Sequence, residues 1–195
     1  MGLVSPIASV FVEAVRHTSA WERAGMSLDN KPVYSGGCQC GAVRFRIEGA
    51  LGEASVCHCR MCQKASGNIM LPLVSVHGAK LAWTRAEPKR FQSSSHVRRG
   101  FCPECGTPLT YEAPDGQAIT IAAFDHPEEI APVVQWGLEG KLPYTDGIAA
   151  LPGYTSEEDA DAVEFLRDLV SYQHPDHDTD EWPLPENARK DTEND

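Results

Sequence analysis

The seven cysteines of this chain lie in three tight clusters, and no other feature restricts its fold as strongly. Cys38 and Cys40 form C-x-C. Cys57, Cys59 and Cys62 form C-x-C-x-x-C. Cys102 and Cys105 form C-P-E-C, with Gly106 after the second cysteine as Gly41 follows Cys40. Two thiolates on a tight turn can grip one metal ion. A glycine beside the second of them admits positive φ, so backbone amides can turn toward the sulfurs. A closed zinc site built from sulfur alone takes four thiolates. Seven sulfurs divide into four and three. Cys38, Cys40, Cys102 and Cys105 are therefore expected to share a structural zinc, a cross-link that closes a long loop and so staples a small β domain. Cys57, Cys59 and Cys62 are expected to hold a second zinc with one open position, giving two zinc ions per chain.

The middle cluster has its own geometry. In an extended chain the side chains of Cys57 and Cys59 fall on one face and His58 on the other. A turn then brings Cys62 to the same point. His58 is expected to pack or hydrogen-bond rather than to ligate. An open zinc position takes water or a substrate sulfur, and a thiol bound there is deprotonated. Two other arrangements fit the same residues: a redox-sensing trio of thiols, and a zinc closed by a distant Asp or His.

Composition narrows the class. A length of 195 residues suits one domain with tails or two small domains. The net charge of −11 opposes binding to nucleic acid or anionic membranes, which requires basic surface. The uncharged run over residues 1–12 is too short to span a bilayer and lacks a basic start. Odd cysteine usage at metal spacing fits a reducing compartment, so a cytoplasmic protein is expected.

Short apolar runs bounded by Gly, Pro, Asp or Asn recur along the chain. Residues 33–47 read as strand, turn, strand, with strict alternation from Val43 to Ile47. Further strands are expected within 69–76, 80–83, 99–102, 109–111, 118–123 and 133–136. The pattern is that of a mainly β, antiparallel domain. One helix is expected near the C-terminus, capped by Thr155 or Ser156 and carrying Val163, Leu166, Leu169 and Val170 on one face. The organisation expected is an N-terminal extension over 1–30, poorly anchored, with Met26 as a second possible start. A zinc-binding domain over 31–173 follows, and then an acidic disordered tail over 174–195.

Three stretches carry a resemblance. They are the run Gly36 to Phe45 (GGCQCGAVRF), the run Cys57 to Gly67 (CHCRMCQKASG) and the run Phe101 to Leu109 (FCPECGTPL), with Trp136 and the Lys141-Leu142-Pro143 stretch following. In this order they resemble the glutathione-dependent formaldehyde-activating enzyme family, which includes the centromere protein V-like proteins. The resemblance implies a β-tent fold and the same four-plus-three division of cysteines between two zincs. It also implies a carbon–sulfur lyase reaction that joins glutathione, or a similar small thiol, to formaldehyde or a related aldehyde. Arg60, Lys64, Arg98 and Arg99 are candidates to receive the carboxylates of glutathione, against the alternative that each is a solvated surface charge. Trp83, Phe124 and Trp136 read as core or pocket wall. The rivals to an enzyme are a noncatalytic zinc-stabilised interaction module and a thiol redox sensor.

Overall fold

The computed structural model describes residues 31–158, 163, 166 and 169–183, all within one unit that begins at Lys31. The fold is mainly β. Strands β1 (Val33–Gly37), β2 (Arg44–Glu48) and β5 (Lys80–Trp83) form a three-stranded antiparallel sheet in the order β1-β2-β5. A seven-stranded sheet is built from β3 (Ala54–Cys57), β4 (Leu71–Ser75), β6 (Lys89–Gln92), β7 (Arg98–Phe101), β8 (Pro108–Ala113), β9 (Gly116–Thr120) and β10 (Val134–Trp136). Its order is β10-β3-β4-β9-β8-β7-β6. The expected antiparallel pattern holds except at one edge, where β10 runs parallel to β3 with Trp136 opposite Cys57.

Alternation in β2 explains the first sheet. Phe45 and Ile47 are fully buried while Arg46 between them is exposed. Phe45 meets Phe124 edge-on at 5.2 Å and Trp83 edge-on at 6.0 Å, so Trp83 and Phe124 serve the core as expected. The core continues through Val43, Val74, Leu109 and Ile119 and thereby joins both sheets. Gly36 admits this closeness. A Cβ there would lie 2.8 Å from the Phe124 backbone, and Gly36 bridges to Phe124 across the sheets.

Several elements depart from the sequence expectation, and strands β3 and β6 lie where no strand was expected. The strand expected over 118–123 ends at Thr120, and Ile121–Ala123 turns as a 3-10 helix. Helix α1 (Arg60–Ser66) follows β3 directly; it was hidden because its cap is a cysteine rather than a hydroxyl or carboxylate. The late helix opens as expected. Thr155 Oγ1 accepts from the Glu158 amide at 3.2 Å and Glu158 Oε2 accepts from the Thr155 amide at 2.7 Å, a reciprocal capping box. Residues 156–158 are helical, but most of 159–168 lies outside the described residues, and Leu169 and Val170, expected on an apolar face, are exposed. The N-terminal extension also lies outside the described residues.

The tail expected from residue 174 onward is, as far as Pro183, a strap across the first cysteine turn. His174 is buried, and its amide donates to the Gln39 carbonyl at 2.7 Å. Asp178 accepts from Arg44 at 2.7 Å. Arg85 donates to the Gly41 carbonyl at 2.7 Å and to the Thr179 hydroxyl at 2.8 Å. Trp182 Nε1 donates to the Cys40 carbonyl at 2.6 Å. Acidic composition suggested solvation, but the buried guanidinium of Arg44 and the half-buried one of Arg85 give these residues partners that composition alone does not reveal.

Arg44 anchors this region. Its guanidinium grips Asp125 through two bonds of 2.7 Å, and both side chains are nearly inaccessible. Burial opposes ionisation of Asp125, but the Arg44 fork and the Ser35 hydroxyl outweigh it and hold the carboxyl below its ordinary range. Asp125→Ala leaves the guanidinium without its buried partner, and a loss of about 3–5 kcal/mol is expected in denaturant titration. Because the folded pKa is depressed, this stabilisation is present above the unfolded value of about 3.9 and is lost as pH falls through the folded one. The variant should therefore show a shallower acid destabilisation than the parent. Deletion of 174–195 should lower the melting temperature by about 5 °C or more in calorimetry; an unchanged value would show that the strap adds nothing.

Candidate metal centres and cleft

Each cysteine turn is shaped by its backbone. After β1 the chain reverses at Cys38–Gly41. The Gly41 amide donates to the Cys38 carbonyl at 3.0 Å, the Cys38 amide to the Val43 carbonyl at 2.9 Å, and the Val43 amide to Cys38 Sγ at 3.3 Å. Gly41 has φ 77° and no room for a Cβ, because the His174 ring packs on it. After β7 a second reversal runs from Cys102 to Thr107. The Gly106 amide donates to the Cys102 carbonyl at 2.9 Å, and Gly106 has φ 82°. Thr107 ties the two turns together, since its Oγ1 accepts from the Gln39 amide at 3.1 Å and lies 3.1 Å from Cys105 Sγ.

The sulfurs of Cys38, Cys40, Cys102 and Cys105 all lie within 4.8 Å of one another. Cys40 Sγ is 3.6 Å from Cys38 Sγ and 3.8 Å from Cys102 Sγ. These separations are too long for disulfides. A tetrahedral zinc with bonds of about 2.3 Å places its sulfurs about 3.8 Å apart. The donor set and its spacing thus fit a thiolate-bound metal. Electrostatics agree: burial pushes Cys102 up to about 11 and Cys40 well above the ordinary thiol range. At Cys105 burial is outweighed by bonds from the Thr107 hydroxyl and amide, which pull it to about 6. A divalent cation is the partner that lets the whole set ionise.

The middle cluster is assembled by two elements. Cys57 ends β3, Cys59 is the N-cap of α1, and Cys62 lies in the first turn of that helix and donates its amide to Cys59 Sγ at 3.4 Å. Their three sulfurs also lie within 4.8 Å of one another. Burial pushes Cys57 up to about 12 and also raises Cys62. Cys59 is held low, because bonds from the Cys62 amide and the neighbouring thiols outweigh burial. His58 turns away as expected. Its ring is buried with Nε2 3.0 Å from Gln135 Oε1, while Nδ1 has no partner.

Several supporting residues escaped the sequence reading. Gln63, buried, donates to the His58 carbonyl at 2.7 Å and to the Gly140 carbonyl at 2.8 Å, which pins α1 to the later chain. A Cβ at Gly137 would lie 2.7 Å from the Cys59 amide nitrogen, so only glycine allows this approach. Arg99 is the largest departure. Sequence offered it as a receiver of a carboxylate or as a surface charge, but it is buried. Its Nη2 donates to Cys62 Sγ at 3.2 Å, its Nε donates to Ser93 Oγ at 3.0 Å, and its guanidinium sits 5.0 Å from the centre of the Tyr111 ring. Alternation along β7 was the available signal, since Arg98 faces outward and pairs with Glu112. Arg60 is spent on Gln63 and Lys64 is exposed.

A cleft of about 560 Å³ opens beside this cluster. Cys57, Cys59 and Cys62 line it together with Arg99, Tyr111 and Trp136, so Trp136 is pocket wall as expected. At the four-sulfur cluster the strap bonds to the first turn, Cys38 lines a pocket of about 120 Å³, and Cys105 is exposed.

A mainly β fold with one four-sulfur and one three-sulfur cluster, the latter open to a cleft, defines a class of protein that can bind two metal ions. Residues 33–138 match the model of the family described as glutathione-dependent formaldehyde-activating enzyme, and the chain belongs to that family. A comparison with curated proteins found no match. Among solved structures, the chain is similar to a Rhodobacter sphaeroides protein determined by structural genomics. The identity is 21%, the match covers 52% of this chain and 98% of that one, and the TM-score is 0.39.

Removing one ligand from the closed cluster should remove its metal and the fold with it, because metal binding energy is folding energy in such sites. Cys102→Ser and Cys38→Ser are expected to give unfolded or insoluble protein by circular dichroism. A folded Cys102→Ser variant with full metal content would contradict the shared site.

Proposed function

We propose that the protein is a zinc-dependent carbon–sulfur lyase of the type that joins a small thiol, such as glutathione, to formaldehyde or a related small aldehyde. In this reading Cys38, Cys40, Cys102 and Cys105 hold a structural zinc, and Cys57, Cys59 and Cys62 hold the catalytic one. The observation that carries it is the size of the adjoining space: all three sulfurs of one cluster line a cleft of about 560 Å³, whereas of the four-sulfur cluster Cys38 lines a pocket of about 120 Å³. Family membership supports the chemistry. No helix among the described residues is long and apolar enough to cross a membrane, and seven unpaired thiols suit a reducing, cytoplasmic setting.

A zinc with an open position supplies Lewis acidity that makes a bound thiol a thiolate at neutral pH. The chain's own residues do the rest. Arg99 donates to Cys62 Sγ and fixes its direction, drawing charge from that sulfur. Gln63 and Gly137 hold the turn that aims Cys59. Trp136 and Tyr111 wall the cleft in which both reactants would meet. In the addition a carbon–sulfur bond forms at the carbonyl carbon, the carbon–oxygen π pair moves to oxygen, and the proton given up by the thiol ends on that oxygen.

Metal analysis of the purified protein should find two zinc ions per chain, and mild chelation should remove the one held by three sulfurs first. Cys62→Ser should keep the β fold, lose about one zinc, and lose thiol–aldehyde adduct formation measured by NMR. Calorimetry with glutathione that is indifferent to this substitution would favour an interaction module or a thiol sensor instead.

A further inference from the structure

The charges that line the cleft point to a restricted class of thiol. Among its lining residues Arg99 is the sole cation, and that guanidinium already serves Cys62 and Ser93. Two carboxylates, Glu53 and Asp115, line the same space, are exposed, and have no ion-pair partner among the described residues. Three thiolates around a divalent ion leave one further negative charge. The candidate carboxylate receivers lie elsewhere: Arg98 pairs with Glu112, Arg60 bonds to Gln63, and Lys64 does not line the cleft. The cleft is therefore net negative.

Glutathione carries two carboxylates and one ammonium group. One ammonium can face Glu53 or Asp115, but two carboxylates would compete for a single occupied guanidinium. We infer that this cleft selects a small thiol without net negative charge, a neutral or ammonium-bearing thiol, over glutathione itself, with Glu53 and Asp115 as the residues that set the preference. The inference rests on the thiol–aldehyde reading and narrows its thiol. Charges this exposed act through water, so the preference is modest and sensitive to salt.

Glutathione and its diethyl ester share a thiol and a peptide skeleton and differ in the two carboxylates, which makes them a matched pair. Calorimetry on zinc-loaded full-length protein at low ionic strength should show the ester binding about tenfold more tightly, with cysteamine also favoured over its acidic analogue mercaptoacetate. The ratio should shrink toward unity at 0.5 M salt and in the Glu53→Gln/Asp115→Asn double variant. Both substitutions are exposed, so the fold should be kept. Glutathione binding as tightly as the ester, with both lost in Cys62→Ser, would overturn the charge preference and leave the thiol site standing. A preference for the ester that survives the double variant would overturn the assignment to these carboxylates. Binding of both thiols unaffected by Cys62→Ser would remove the thiol site and this inference together.

Discussion

The four-sulfur cluster is the constraint on which the rest depends. Cys38 and Cys40 leave the three-stranded sheet, and Cys102 and Cys105 leave the seven-stranded one. One metal held by all four would bind the sheets at a single point, across more than sixty residues of sequence. The core beneath that point gathers Val43, Phe45, Leu109 and Phe124 into one buried cluster. A cross-link that restricts the unfolded chain gives the most where the loop is long. Gly36, pressed against Phe124, and the Arg44–Asp125 pair then hold the sheets in one register around it.

What sequence revealed and what it concealed follow physical lines. Metal clusters were legible because ligand spacing is a local property: C-x-C and C-P-E-C each fit in one turn, and both turns form with glycine at positive φ. Strands with alternation were legible for the same reason, and β5 spans the residues that its pattern indicated. Partners far apart in sequence were not. Nothing near Arg99 announces Cys62, and nothing near Gln63 announces Gly140, since each contact exists only after the sheet has closed. Helix α1 was hidden by a cap that general propensities do not score. The strap was misread because Asp178, Thr179 and Trp182 look like solvated tail until Arg44, Arg85 and the Cys40 carbonyl are placed beside them.

The two clusters share one ligand type and differ in their surroundings. At the four-sulfur cluster Arg85 and Trp182 bond to the backbone of the first turn, while Cys105 on the second turn is exposed. Around Cys57, Cys59 and Cys62 the chain supplies no fourth ligand among the described residues and leaves a cleft. A buried guanidinium at Cys62 adds what a closed site does not need. It stabilises charge on a sulfur while leaving the open side free, and it is itself kept in place by Ser93 and the face of Tyr111.

That guanidinium also bears on how the substrate is met. A cation already committed to a ligand sulfur cannot fully answer an incoming carboxylate, because moving toward one partner weakens its bond to the other. Arg99 thus fits the upkeep of the metal ligand better than the reception of an anion. The outward-facing Arg98 is likewise taken by Glu112. On the proposed reading, substrate contacts would then fall to the apolar walls and to the exposed carboxylates of Glu53 and Asp115. An acidic protein that keeps its buried arginines for internal pairs, Arg44 with Asp125 and Arg99 with Cys62, leaves a cleft whose free charge is negative. On the proposed reading, discrimination among thiols would rest on the charge each thiol brings, while a metal at the cluster would supply the affinity for sulfur that all of them share.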